Sequence, residues 1–202
     1  MLFVQAKEPM RVAVIDSGFN PYVVEKLHRC DNLQVKSFGN PTTYKQIEHG
    51  TNVAGLIEKY AKNKSKFCFI LIRGLYTTKS TIESIRYAIL MKANIINYSG
   101  TGKYESKEEH QAILDFLNTG GKFFTATGND SKNLDKECSA FPACYSSLKI
   151  NVITNRESYS NKYSKAFISD KDGKNENVYD TEMTGTSQST AIETGRFINE
   201  SN

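Results

Sequence analysis

The chain has 202 residues, 39% hydrophobic and 24% charged, with 13 Gly and 4 Pro. That suits one domain over 1–202 with a covered central sheet, and it excludes a low-complexity or disordered chain. The net charge of +4 is scattered over 26 basic and 22 acidic residues rather than gathered into an aromatic-studded stripe, so nucleic acid is not an expected partner.

The opening MLFVQAKEPMRVAVID runs directly into a strand-like segment, without the apolar core and cleavage site of a signal peptide. No apolar stretch approaches the roughly 20 residues of a membrane span. No membrane partner is therefore expected, and the expected location is the cytoplasm. Short apolar or β-branched runs at 11–16 (RVAVID), 67–72 (FCFILI), 93–98 (ANIINY), 122–127 (KFFTAT) and 148–154 (LKINVIT) predict strands. Their near-continuous apolar character suits a parallel sheet covered on both faces. Helical patterns fall between them at 21–29, 49–60, 80–92 and 107–118. In the third, Ile82, Ile85, Ile89 and Leu90 recur at three- and four-residue spacing, the signature of an apolar helix face. The basic run at 59–66 (KYAKNKSK) reads as a solvated helix end and loop. Strand and helix in alternation predict a three-layer, doubly wound, mostly parallel α/β fold. Cys30, Cys68, Cys138 and Cys144 lack metal-ligand spacing, and a reducing compartment would keep them as thiols, with Cys68 in the core; Cys138 and Cys144, six residues apart, could meet in a loop, and their state is left open.

In such sheets chemistry collects at the carboxyl ends of the strands. Asp16 ends the first strand, Tyr98-Ser99-Gly100 another, and Gly128-Asn129 a third. His49 opens HGTNVAG, and Ser187 lies inside GTSQSTA, just before a helix-like run ending near Asn199. Singly, His49 could be a cap or a satisfied polar residue, and Ser187 a helix N-cap.

Together, DSG at Asp16, HGTNVAG at His49 and GTSQS at Ser187, in that order and 33 and 138 residues apart, resemble the subtilisin-like serine proteases. Ile96-Asn97-Tyr98-Ser99-Gly100 looks like that family's substrate-binding strand, Ala126-Thr127-Gly128-Asn129 like its oxyanion segment, and Phe141-Pro142-Ala143 like its YPA-type turn. The resemblance implies a serine endopeptidase. Ser187 would be the nucleophile, His49 the base and Asp16 its orienting carboxylate, while Asn129 and the Ser187 backbone N–H would donate to the oxyanion. An extended peptide or protein substrate would lie along Ser99, Gly100, Thr101 and Gly102, with a second wall at Ala126, Thr127 and Gly128. Thr125 and Thr127 stand where the family often has alanine, which would make the primary pocket smaller or more polar.

The sequence departs from the family in several places. Ala191 replaces the usual proline, and Gln188 and Ser189 replace Met and Ala. Only 15 residues of this sequence precede Asp16, so the family's usual N-terminal helix with its calcium ligand is not expected here, nor are its usual closing helices. No DxDxDG loop occurs; the polar stretch holding Asp170, Asp172, Glu176 and Asp180 reads as an exposed loop. Neither metal nor cofactor is expected. An active protease in a cytoplasm, with no visible inhibitory pro-segment, would need narrow specificity, as in leader processing, or a regulatory or inhibitory partner. The alternative is a catalytically silent peptide-binding or regulatory module. A phosphate-binding reading of GTSQST lacks both the P-loop lysine and a GxGxxG pattern.

Overall fold

The computed structural model describes residues 8–39, 43–74 and 77–201. Its strands are β1 (Met10–Asp16), β2 (Lys36–Ser37), β3 (Phe67–Arg73), β4 (Ile95–Tyr98), β5 (Lys122–Ala126), β6 (Asn151–Asn155) and β7 (Phe167–Ser169). They form one sheet in the order β2-β3-β1-β4-β5-β6-β7, and every neighbouring pair is parallel. The helices are α1 (Pro21–Val24), α2 (Tyr44–Ala61), α3 (Thr78–Leu90), α4 (Lys107–Asn118) and α5 (Thr186–Glu200).

Side-chain alternation along the strands builds two cores. Val12 and Val14 of β1 join Phe69, Leu71 and Ile153 against Val53, Leu56 and Ile57 of α2 and Ile192 and Ile198 of α5. Ala13 and Ile15 face the other way, joining Ile70, Ile96 and Phe123 against Ile85 of α3 and Phe116 of α4. Helices therefore cover both faces, as expected of a doubly wound α/β sheet.

The differences from expectation have local causes. α2 starts at Tyr44, upstream of the predicted 49, because Gln46 Oε1 accepts the Thr43 N–H at 2.6 Å in a capping arrangement. His49 is thus inside the helix rather than at its opening. The predicted helix at 21–29 contracts to the four residues of α1, started by Pro21 and by Asn20, whose side chain accepts from Tyr22 N. β2 and β7 carry no readable period: they are two and three residues long, and their first two residues are exposed.

The free-thiol expectation is overturned. Cys30 is bonded to Cys68 and Cys138 to Cys144, and no described cysteine is free. The first pair forms because the turn at Cys30–Asn32 packs on β3, with Phe69 N donating to His28 O at 2.8 Å, a juxtaposition that linear spacing does not reveal. Disulfides persist in oxidising compartments, so the thiols expected from a cytoplasmic location are not what the fold carries. No described helix is long and apolar enough to cross a membrane.

Candidate active site

Parallel strands bring all their carboxyl ends to one edge, and the adjacency of β1, β4 and β5 sets Asp16, Ser99 and the Gly128-Asn129 turn side by side there. Asp16 is 0% exposed. Its Oδ1 accepts from Ser17 N (2.6 Å), Ser17 Oγ (3.0 Å) and His49 Nδ1 (2.8 Å), while Oδ2 is buried without a partner. Gly50 lets α2 approach this closely: a Cβ there would lie 2.1 Å from the Gly18 carbonyl oxygen. Burial disfavours the His49 imidazolium, but the charge of Asp16 and the hydrogen bond to it outweigh that, and the pKa lies above its ordinary 6.5. With Nδ1–H committed to the carboxylate, Nε2 of the neutral ring is an acceptor, the tautomer a general base needs.

Ser187 is the second residue of α5, where unpaired N–H groups and the positive end of the helix dipole lie. Gly185 caps the helix at φ 151°, and a Cβ on it would sit 3.0 Å from Asn129 Nδ2. Ser187 Oγ donates to the Ser99 carbonyl at 3.0 Å, and Ser99 Oγ donates back to the Ser187 carbonyl at 3.1 Å. Asn97 Nδ2 in turn donates to Ser99 Oγ, and Thr194 Oγ1 to Asn97 Oδ1, each at 2.9 Å. This network fastens the first turn of α5 to the end of β4. It also turns the Ser187 hydroxyl toward the Ser99 carbonyl rather than toward His49.

Asn129 is held by its oxygen. Thr186 N and Thr186 Oγ1 both donate to Asn129 Oδ1 at 3.0 Å, and Gly128 N donates to Thr186 Oγ1 at 3.1 Å. The amide nitrogen lies on the opposite branch, beside Gly185 and two positions before Ser187. Asn161, 1% exposed, clamps the same loop on both sides of Asn129. It donates Nδ2 to Thr127 O (2.8 Å), accepts on Oδ1 from Asp130 N (3.1 Å) and Lys132 N (2.9 Å), and gives its backbone N–H to Gly128 O (3.0 Å). Sequence reasoning missed Thr186, Ser17 and Asn161. The first two adjoin the motif residues and were within reach of it; nothing in the sequence marks Asn161.

The expected substrate segment is only partly open. Gly102 exchanges both main-chain hydrogen bonds with Phe141, at 2.7 and 2.8 Å, which takes it out of the edge expected at 99–102. Along the second wall, Ala126 is buried, and Thr127 O, Gly128 N and Gly128 O are already paired inside the protein; that wall offers shape more than hydrogen bonds. Thr125 and Thr127 are both 0% exposed, with hydroxyls lacking partners, so neither side chain alters the polarity of an open pocket. No group of three or more His, Cys, Asp or Glu among the described residues could hold a metal. In the 170–180 stretch, Asp170 pairs with Arg196 and Glu176 with Lys59 and Lys171, while Asp172 accepts from Tyr159 and Thr184.

The model of the Subtilase family (Peptidase_S8) matches residues 8–197. No curated protein sequence is a significant match. Among solved structures, the chain is similar to the S218A mutant of the protease domain of PatA, with TM-score 0.71 and 18% identity over 96% of this chain and 80% of that one. The prenylagaramide maturation protease PagA gives 0.66 and 18%, over 94% and 73%. A cold-adapted subtilisin-like serine proteinase gives 0.66 and 22%, over 92% and 72%.

Proposed function

Because the chain belongs to the subtilase family, we propose that it is a serine endopeptidase in which Asp16, His49, Ser187 and Asn129 carry the reaction. The observation that supports this most is the 2.8 Å bond from His49 Nδ1 to a fully buried carboxylate. It fixes the ring with Nε2 free as an acceptor, on the same sheet edge as a serine at a helix N-terminus. In this reading Ser187 Oγ leaves Ser99 O and donates instead to His49 Nε2. The ring takes the hydroxyl proton as Oγ attacks the scissile carbonyl, and Asp16 stabilises the imidazolium so formed. The negative charge that develops on the carbonyl oxygen is met by Asn129 Nδ2 and the Ser187 backbone N–H. His49 then passes the proton to the leaving amine, and water repeats the sequence on the acyl-enzyme.

We infer further that the substrate is a defined peptide, such as a leader-bearing precursor. Support comes from a neighbour described as a maturation protease, and from a short open edge for main-chain pairing at Gly100 and Thr101. The two disulfides favour an oxidising compartment for the folded enzyme over the cytoplasm. The Ser187–Ser99 bond is what a silent binding module would also show, so the test must read chemistry. A fluorophosphonate probe should label Ser187, with the adduct located by mass spectrometry. Labelling of a different serine in folded protein would reject the assignment, and failure to hydrolyse any peptide of a proteome-derived library would favour the silent module.

A further inference from the structure

We propose that a pocket beside the Asp16–His49 pair binds an acidic side chain of the peptide substrate. The proposal rests on the peptidase reading and adds a substrate class to it. The pocket has a volume of about 500 Å³, and its lining includes Gly18, Phe19, Val24, Ile47, Arg29 and Arg73. Gly18 stands two positions after Asp16, and Ile47 two before His49. Arg73 is the direct register partner of Asp16 across β1 and β3, and Gly74 N donates to Asp16 O at 3.0 Å. Arg73 thus comes from the strand end next to that of Asp16, while Ile47 comes from α2 and Arg29 from the turn before Cys30.

Its chemistry is cationic and unsatisfied. Arg29 and Arg73 face a single lining carboxylate, Glu25, and neither arginine forms an ion pair among the described residues. Arg11 and Arg196, by contrast, are both paired with carboxylates. The two pocket guanidinium groups are held instead by neutral oxygens. Arg73 donates Nε to Ser37 Oγ (2.8 Å) and Nη2 to Gly39 O (3.3 Å), and Arg29 donates Nη1 to Leu33 O (3.0 Å). Arg29 Nε is buried with no acceptor, a costly state for a charged donor. A guanidinium carries five N–H donors, and with one bond used by Arg29 and two by Arg73 each keeps N–H groups that a carboxylate can accept from. The apolar lining from Phe19, Val24, Val35 and Ile47 lowers the local dielectric and strengthens such a pair. An extended substrate advances about 3.3 Å per residue, so the acidic side chain should fall at one fixed distance from the cut.

Binding can be read without turnover. Immobilised Ser187→Ala protein would be offered random-flank octapeptide libraries with Glu or Gln fixed at each position in turn, and retained peptides would be quantified by mass spectrometry. Glu should be retained about tenfold more than Gln at one position, the scale of one charge-assisted hydrogen bond. Arg29→Gln and Arg73→Gln, checked for folding by thermal melting, should each erase that ratio. Equal retention of Glu and Gln at every position by the parent protein overturns the proposal, even if a variant fails to fold. So does a ratio that persists in both folded variants. Failure of the wild-type protein to cut any peptide of the proteome-derived library would instead sink the peptidase reading, and the Glu/Gln ratio would still decide the pocket.

Discussion

Asn161 touches no reacting atom in the proposed mechanism, yet it holds the loop that carries Asn129. Replacing it with alanine removes three side-chain hydrogen bonds, to Thr127 O, Asp130 N and Lys132 N, in a residue 1% exposed. At about 1 kcal/mol each, the loss is about 3 kcal/mol of stability, or a fall in Tm of roughly 6–12 °C for a chain of this size. The catalytic effect has a ceiling. If Asn161 acts by aiming Asn129, its removal cannot cost more than the oxyanion donor itself, roughly 10²–10³ in kcat, a figure the subtilisin oxyanion asparagine supplies. Asn161→Ala should therefore lower kcat by roughly tenfold to a hundredfold, with KM nearly unchanged, because the donor meets charge present only in the transition state. Asn161→Asp separates the contacts: it keeps an acceptor for Asp130 N and Lys132 N but sets an oxygen against Thr127 O. A smaller loss of stability with a similar fall in kcat would locate the catalytic influence in the Thr127 contact. The decisive assay is steady-state kinetics on the double variant with Asn129→Ala, which should be no slower than Asn129→Ala alone. Additive losses, or a kcat unmoved while Tm falls, would refute the positioning role.

Asn129→Ala should lower kcat by roughly 10²–10³ with little change in KM, measured where chemistry limits the rate; an unaltered kcat would remove Asn129 from the oxyanion site. Activity should rise with pH as His49 loses its proton, with an acid limb above 6.5 because Asp16 raises the pKa against the effect of burial. Asp16→Asn should lower kcat by about 10⁴, as in related triads, and move the residual acid limb to lower pH, which a pH–rate profile would show. The same raised pKa makes the His49–Asp16 pair contribute stability that is full below 6.5 and is lost as pH rises through the folded-state value; denaturant titrations across that window should show a loss that Asp16→Asn lacks. The disulfides close loops with sequence separations of 38 and 6, so chain entropy assigns them about 4 and about 2 kcal/mol. Cys30→Ser should lower Tm by more than Cys138→Ser, and a Tm insensitive to both would show that neither bond constrains the unfolded chain.

What could be read from the sequence divides along a physical line. Asp16, His49 and Ser187 are legible because the proposed reaction restricts residue type, and because the small residues around them, Gly50 against Gly18 O and Gly185 at φ 151°, are demanded by the local backbone. The shared edge is legible too, since apolar runs such as FCFILI suit only a sheet buried on both faces, and parallel strands must align their carboxyl ends. The supports are of another kind. Asn161 reaches Thr127 across 34 residues, Ser99 reaches Ser187 across 88, and Arg29 and Arg73 meet at one pocket from different elements. At each of these places the fold asks only for a donor or acceptor at a point in space, which many residue types at many chain positions could supply. The Cys30–Cys68 disulfide follows the same logic, for Cys30 meets Cys68 through the packing of a short turn on β3, not through any spacing, whereas Cys138 and Cys144 lie only six residues apart. Local chemistry therefore writes itself into contiguous motifs, whereas the groups that orient it, and the arginines proposed to choose its substrate, are specified only once the chain has folded.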